Sequence, residues 1–92
     1  MEMTITNNEL AGRFEISCED SMALLEYDLT GKLMTLVHTE VPKELGGKGL
    51  GGMLVKTALD YASHNNLCVV AHCEFAQSYI VRHKEYSSLL HS

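Results

Sequence analysis

A glycine cluster near the middle of the chain separates two different hydrophobic patterns. Five of the seven glycines stand within residues 46–52, shortly after Pro42, the only proline. Glycine inside a helix costs up to about 1 kcal/mol relative to alanine, so such a cluster is unfavourable unless bare backbone is needed there. Because residues alternate at period two before the cluster and at the helical period after it, we expect it to join a strand to the amino end of a helix.

The first half of the chain predicts short antiparallel strands. Segment 13–18 alternates polar and apolar residues, and segments 22–29 and 32–41 are rich in β-forming residues. A turn at Gly31 separates the last two segments, because glycine tolerates a positive φ. A shorter first strand is predicted at residues 4–6. The short connections imply β hairpins.

After the glycines, apolar residues recur at every fourth position from Leu50 to Ala62, which predicts a helix over 50–64. Residues 67–71 predict a short buried strand. Phe75, Tyr79 and Ile80 predict a final helix that ends before residue 84.

The predicted fold class is therefore α+β, with antiparallel β hairpins followed by a β-α-β crossover and a final helix. A right-handed crossover places strand 67–71 parallel to strand 32–41. Because 92 residues are too few for two independent cores, residues 1–92 are expected to form a single domain.

Charge and composition narrow the class of partner. Twelve acidic residues against seven basic ones give a formal charge of −5, whereas a nucleic-acid binder needs a clustered basic surface. No stretch approaches the roughly 20 apolar residues that cross a membrane, and the amino terminus lacks a signal-peptide pattern. An odd number of cysteines, three, favours reduced thiols. We therefore expect a cytoplasmic protein with neither nucleic acid nor membrane as partner.

The glycine cluster allows several interpretations. A flexible solvent loop is the simplest. A P-loop is excluded because Gly49, and not Ser or Thr, follows Lys48. The dinucleotide fingerprint is met by Gly47, Gly49 and Gly52, but it belongs after the first strand of an extended parallel sheet. The remaining interpretation uses Gly49 and Gly51 as the G-x-G of an acyl-CoA pyrophosphate loop, whose N–H groups and helix dipole attract phosphate.

Five short motifs in a fixed order carry a resemblance to a known family. They are His38-Thr39-Glu40-Val41-Pro42, Gly47-Lys48-Gly49-Leu50-Gly51, Ala58-Leu59-Asp60-Tyr61-Ala62, Cys73-Glu74-Phe75 and Tyr79-Ile80-Val81-Arg82-His83-Lys84-Glu85-Tyr86. These motifs lie within residues 38–86 and resemble the minimal, single-domain branch of the GNAT superfamily of N-acetyltransferases. With the order of the predicted strands and helices, the resemblance covers about residues 14–90. That superfamily usually has Gln or Arg three residues before its G-x-G, where this chain has Gly46.

The resemblance implies an N-acetyltransferase that binds acetyl-CoA and transfers the acetyl group to an amine acceptor. It places acetyl-CoA in a gap between strands 32–41 and 67–73, near their carboxyl ends, where open α/β units bind ligands. The residues implied in cofactor binding are Val41, Gly46, Gly47, Lys48, Gly49, Leu50, Gly51 and Gly52. A noncatalytic CoA-binding or regulatory interaction module of the same fold is the alternative.

Two side chains are candidates for the chemistry. His38 is expected to share a strand face with Leu36 and Glu40; a histidine there could deprotonate an ammonium acceptor or be a structural residue. Cys73 ends the last strand beside a helix amino terminus, which lowers the pKa of a thiol. It could accept the acetyl group covalently, line the thioester pocket, or be a buried core residue. Direct attack of the amine on the thioester is the simpler route.

Other chemistry-bearing residues are expected to be structural. Cys18 and Cys68 are expected in the core. Tyr79 is also expected there, although in larger superfamily members a tyrosine on the last helix can protonate the departing CoA thiolate. No metal site is expected, because no C-x-x-C or H-x-x-x-H spacing is present.

Overall fold

A computed structural model describes residues 3–18 and 20–90, within which the chain forms five strands and two α-helices. In chain order these are β1 Met3–Asn8, β2 Arg13–Cys18, β3 Ser21–Thr30, β4 Leu33–Glu40, α1 Leu50–His64, β5 Cys68–Ala71 and α2 Glu74–Arg82. Short 3₁₀ segments, Lys43–Leu45 and Lys84–Leu89, precede α1 and follow α2.

The five strands form one sheet in the order β1-β2-β3-β4-β5. The first three pairings are antiparallel, and β5 pairs with β4 in parallel. The predicted α+β class, with hairpins, one β-α-β crossover and a final helix, is confirmed. The first strand is longer than the predicted segment 4–6. Gly31, with φ 58°, forms the β3–β4 turn, and Asn66, with φ 54°, follows the end of α1.

The core lies on the face of the sheet that α1 covers, which we call the inner face. Alternate strand residues point into it and meet one side of α1. They are Phe14, Ile16, Cys18, Ala23, Leu25, Met34, Leu36 and Val69 from the sheet, with Leu54, Val55, Ala58, Leu59 and Ala62 from the helix. The expectation that Cys18 and Tyr79 are core residues is confirmed, since both are buried. The same expectation for Cys68 is wrong: Val69 takes the inner face, so its neighbour Cys68 is exposed.

A β-bulge interrupts β4 at Val37. Tyr27 of β3 pairs with Leu36, but the preceding residue, Glu26, pairs with His38, so Val37 has no partner in the register. A bulge places two residues of one strand opposite one residue of the other and shifts the alternation of faces.

The bulge decides which face the following residues of β4 occupy. Residues directly opposite each other in an antiparallel pair lie on the same face. Thr39 is opposite Leu25, a buried inner-face residue, so Thr39 also belongs to the inner face. His38 and Glu40 therefore lie together on the outer face. Their shared face agrees with the sequence expectation, but the expectation that His38 also shares a face with Leu36 is wrong.

The pairing between β4 and β5 ends immediately before the bulge. The last parallel pair joins Leu36 to Ala71. Backbone N–H groups of His72 and Cys73 then both donate to the Leu36 carbonyl, at 3.0 and 3.1 Å. Beyond that point β4 continues to Glu40, whereas the other chain turns into α2. In the described part of the chain, residues 37–40 have no register partner on that side. We call this opening the β4–β5 gap.

The segment after α2 is tied back to α1. The Tyr86 hydroxyl donates to Asp60 at 2.7 Å, and the Lys56 ammonium donates to the other oxygen of the same carboxylate at 2.8 Å. The bond from Lys56 is the main cause that lowers the pKa of Asp60. These contacts keep the carboxyl-terminal 3₁₀ segment against α1.

Candidate active site

The glycine loop, residues 46–52, turns the chain from β4 into α1. Gly47 and Gly49 have φ values of 80° and 73°, in the left-handed region where L side chains are strained. A Cβ at either position would meet no atom within 4 Å. Glycine is therefore required at these positions by backbone conformation, and the space beside them is open.

The amino end of α1 offers open N–H groups at the end of this loop. Gly49 is the residue before the helix; no side chain caps the helix there, and no acidic residue stands in the first turn. The bond from the Met53 N–H to the Gly49 carbonyl is the first of the helical series. The N–H groups of residues 50–52 thus have no acceptor within the helix and carry the positive end of its dipole. Open N–H groups at the start of a helix are an arrangement that favours anions.

The other residues predicted to bind the cofactor differ in which of their groups are available to a ligand. Val41 packs partly against the core. Leu50 is 1% exposed, so only its backbone can reach a ligand. The Gly46 N–H already donates to the Lys43 carbonyl at 3.1 Å. Lys48 stands between Gly47 and Gly49 within the loop.

Gly51 packs against Phe75 of α2, a role that the sequence pattern does not separate from ligand binding. A Cβ at Gly51 would lie 2.6 Å from Cζ of Phe75 in α2, closer than real contacts allow. At Gly52 the nearest atom would be a Tyr79 ring carbon at 3.6 Å, an ordinary contact. Gly51 therefore lets the Phe75 ring rest on the first turn of α1, while the Gly51 N–H stays at the helix end.

This difference predicts opposite effects for two neighbouring substitutions. We expect Gly52→Ala to raise the free energy of unfolding by a few tenths to about 1 kcal/mol, because alanine favours the helix. Gly51→Ala should lower it by about 1 kcal/mol, because the new methyl group displaces Phe75. Urea unfolding of both variants measures the difference. Equal stabilisation by both would show that Phe75 moves away freely.

Cys73 stands at the junction of β5 and α2, at the mouth of the β4–β5 gap. Its sulfur lies 3.2 Å from the Thr39 hydroxyl oxygen. Burial raises the pKa of the thiol, but hydrogen bonds from the Thr39 hydroxyl and from the backbone N–H groups of Ala76, Phe75 and Thr39 outweigh it. The pKa of Cys73 therefore lies below its usual value, which raises the thiolate fraction at a given pH.

His38 lies beside the same gap but on the opposite face of β4. Its side chain is 55% exposed, and its Nε2 lies 3.8 Å from a carboxylate oxygen of Glu40. Within residues 3–18 and 20–90, the hydroxyl of Thr39 contacts the sulfur of Cys73, whereas the imidazole of His38 lies beside Glu40. The two candidates therefore flank the gap from its two faces.

Thr39 belongs to this site, although it is not among the residues predicted from the sequence. The available signal was a hydroxyl residue next to His38 in the first motif. Simple alternation would place Thr39 away from the face of Leu36, and the bulge at Val37 reverses that placement.

Metal and membrane features are absent from the described ranges, 3–18 and 20–90. No three His, Cys, Asp or Glu side chains there are grouped so that they could hold a metal ion. The helices in those ranges are too short or too polar to span a lipid bilayer.

Comparison with known proteins adds independent information. The family described as GCN5-related N-acetyl-transferase matches residues 13–89. Protein NATD1 from Gallus gallus, Mus musculus and Homo sapiens is 38% identical over 64 residues, 68% of this chain. The match covers 57% of the chicken and mouse proteins and 56% of the human protein, so the chain spans little more than half the length of these curated relatives.

A solved structure is similar over nearly the whole chain. It is the solution structure of a GCN5-like protein from Staphylococcus aureus, assigned as an N-acetyltransferase. The two share 28% sequence identity and superpose with a TM-score of 0.75, which covers 97% of this chain and 88% of the other.

Proposed function

Because the chain belongs to the family of GCN5-related N-acetyltransferases, we propose that it transfers an acetyl group from acetyl-CoA to an amine. The observation that carries this proposal is the β4–β5 gap, which is flanked by His38 and Cys73. The open amino end of α1 lies near it, because Gly51 in the first turn of α1 packs against Phe75, two residues after Cys73. In an acyl-CoA, the pantetheine arm carries the thioester at one end and is joined to the pyrophosphate at the other. The gap suits the thioester, and the open helix end suits the pyrophosphate.

Pyrophosphate binding is assigned to backbone groups. The N–H groups of residues 50–52 point out of the helix end, and the left-handed conformations at Gly47 and Gly49 keep side chains out of the approach. This arrangement compensates for Gly46, which stands where the superfamily usually has a long polar side chain. The pantetheine arm contains two amides, which can pair with the backbone of residues 37–40 as an added strand would.

Direct attack by the amine is the proposed chemical step. The amine nitrogen forms a bond to the thioester carbonyl carbon, the C–S bond breaks, and the CoA thiolate leaves. Before the attack, His38, which faces the outer side of the gap, takes one proton from the acceptor ammonium. The second proton, lost from the nitrogen as the amide forms, passes to the departing CoA thiolate. A carboxylate oxygen of Glu40 lies 3.8 Å from Nε2 of the imidazole. The protein's net charge of −5 suits a cationic acceptor.

Cys73 lines the thioester pocket in this proposal. An acetyl-cysteine intermediate is the competing route, because the lowered pKa of the thiol also makes it a nucleophile. We favour direct attack because the CoA thiolate is itself a good leaving group, so a second thiol ester gains little.

The test combines three measurements on the intact chain. Calorimetric titration should show binding of acetyl-CoA and no heat with NAD. Release of CoA should require an amine when a panel of polyamines, amino acids and peptides is screened. Intact-protein mass spectrometry with acetyl-CoA alone should show no stoichiometric adduct, with exposed Cys68 as an internal control for nonspecific acetylation.

Each contrary result has a definite meaning. Binding of acetyl-CoA without CoA release for any amine would replace the transferase by a noncatalytic CoA-binding module. An adduct on Cys73, absent from Cys68 and discharged by amine as fast as turnover, would replace direct attack by the covalent route. Failure to bind acetyl-CoA would overturn the proposal altogether.

A further inference from the structure

We propose that Thr39 is a positioning residue for Cys73. The hydroxyl of Thr39 holds the sulfur of Cys73 at the mouth of the β4–β5 gap. The inference depends on the proposed function for its purpose, because a thioester must lie in the gap for the orientation of the sulfur to matter. The contact itself exists in the protein without any ligand.

The contact is long-range and depends on the bulge. Thr39 and Cys73 are 34 positions apart, on β4 and at the start of α2, and their side chains meet across the gap at 3.2 Å. If β4 alternated regularly from Leu36 through Val37, with no bulge, Thr39 would lie on the outer face, away from the sulfur. The bulge thus brings this particular hydroxyl to the inner face.

Threonine suits such a role. Its branched Cβ restricts χ1, so the hydroxyl is held in few orientations and little entropy is lost when it binds sulfur. A hydroxyl can donate to a thiolate, and a hydrogen bond to a charged acceptor is stronger than one between neutral groups.

The titratable side chains near the sulfur are not what lowers the pKa of Cys73. His72 and Glu74 flank Cys73 along the chain, and His38 and Glu40 lie on the outer face of β4. None of them is among the causes that shift the pKa of Cys73. The first turn of α1, against which Phe75 packs, has no acidic residue. Of the groups that lower this pKa, the Thr39 hydroxyl belongs to a side chain and the others are backbone N–H groups. A single substitution therefore tests the contact.

The experiment measures alkylation of Cys73 by iodoacetamide as a function of pH, with no acetyl-CoA present. A Cys68→Ser background removes the exposed competing thiol, and peptide mass spectrometry locates the label. Thr39→Val keeps the shape and removes the hydroxyl, Thr39→Ser keeps the hydroxyl, and Thr39→Ala removes both. Thr35→Val is the matched control, because it makes the same change on the same strand but faces outward, opposite Asp28.

We expect Thr39→Val to move the alkylation profile to higher pH. Loss of a hydrogen bond to the thiolate should lower its population near pH 6 about tenfold. The less acidic thiol is more nucleophilic, which offsets part of this, so the rate should fall about threefold. Thr39→Ala should behave in the same way, whereas Thr39→Ser should restore the parent profile and Thr35→Val should leave it unchanged.

A parent-like profile in both Thr39→Val and Thr39→Ala, with folding verified by circular dichroism, would overturn the inference. So would an equal shift in Thr35→Val, which would indicate a general effect on the strand. If the parent protein fails to bind acetyl-CoA, the proposed function fails, but the alkylation profile still decides whether Thr39 holds the sulfur.

Discussion

Replacing His38 with glutamine is expected to lower kcat for acetyl transfer by about a hundredfold or more, the usual contribution of a positioned general base. Glutamine keeps a polar side chain of similar reach but cannot take the proton from the ammonium. The imidazole is exposed on the outer face and belongs to no buried hydrogen-bond network. The affinity for acetyl-CoA, measured by calorimetry, should therefore stay within about twofold of the parent.

The matched control for this prediction is His64→Gln. His64 ends α1 and contacts the Asp60 carbonyl at 2.8 Å, away from the β4–β5 gap. That variant should turn over at the parent rate. If His38→Gln also does so at saturating amine, His38 is a surface residue and the amine must reach the thioester already deprotonated.

Replacing Gly49 with valine is expected to weaken acetyl-CoA binding at least tenfold, about 1.4 kcal/mol. The residue has φ 73° and ψ 21° immediately before α1. A β-branched residue is strained there by about 1–3 kcal/mol, so the chain should rotate out of the left-handed region and redirect the N–H groups of the first turn. The branched side chain would also enter the open space beside the loop.

Gly31→Val separates backbone strain from ligand binding. Gly31 has φ 58° in the β3–β4 turn, with no atom within 4 Å of its Cβ position. Both variants should lose stability in thermal melts, but only Gly49→Val should lose affinity in calorimetric titration of the folded protein. Equal acetyl-CoA affinities for the two variants would show that the glycine loop does not bind the pyrophosphate.

The order of elements could be predicted from the amino-acid sequence because its signals are local. Period-two alternation in segment 13–18, a glycine at the turn of residue 31 and the four-residue spacing from Leu50 to Ala62 each report backbone conformation over a few neighbouring residues. The right-handed crossover rule then made the last strand parallel. The position of Cys73 before a helix also predicted the direction of the pKa shift of its thiol, but not the largest cause that lowers this pKa, the hydrogen bond from the Thr39 hydroxyl.

What pattern analysis could not supply were the relations between distant segments. The bulge at Val37 exists only in the register between β3 and β4, and it reverses the faces of His38 and Thr39. Likewise, the sequence pattern indicates only that Gly51 is the second glycine of a phosphate loop. The structure adds that the Phe75 ring of α2 packs against it. Period and turn chemistry are properties of neighbouring residues, whereas faces beyond a bulge and contacts between helices depend on which segments the fold brings together.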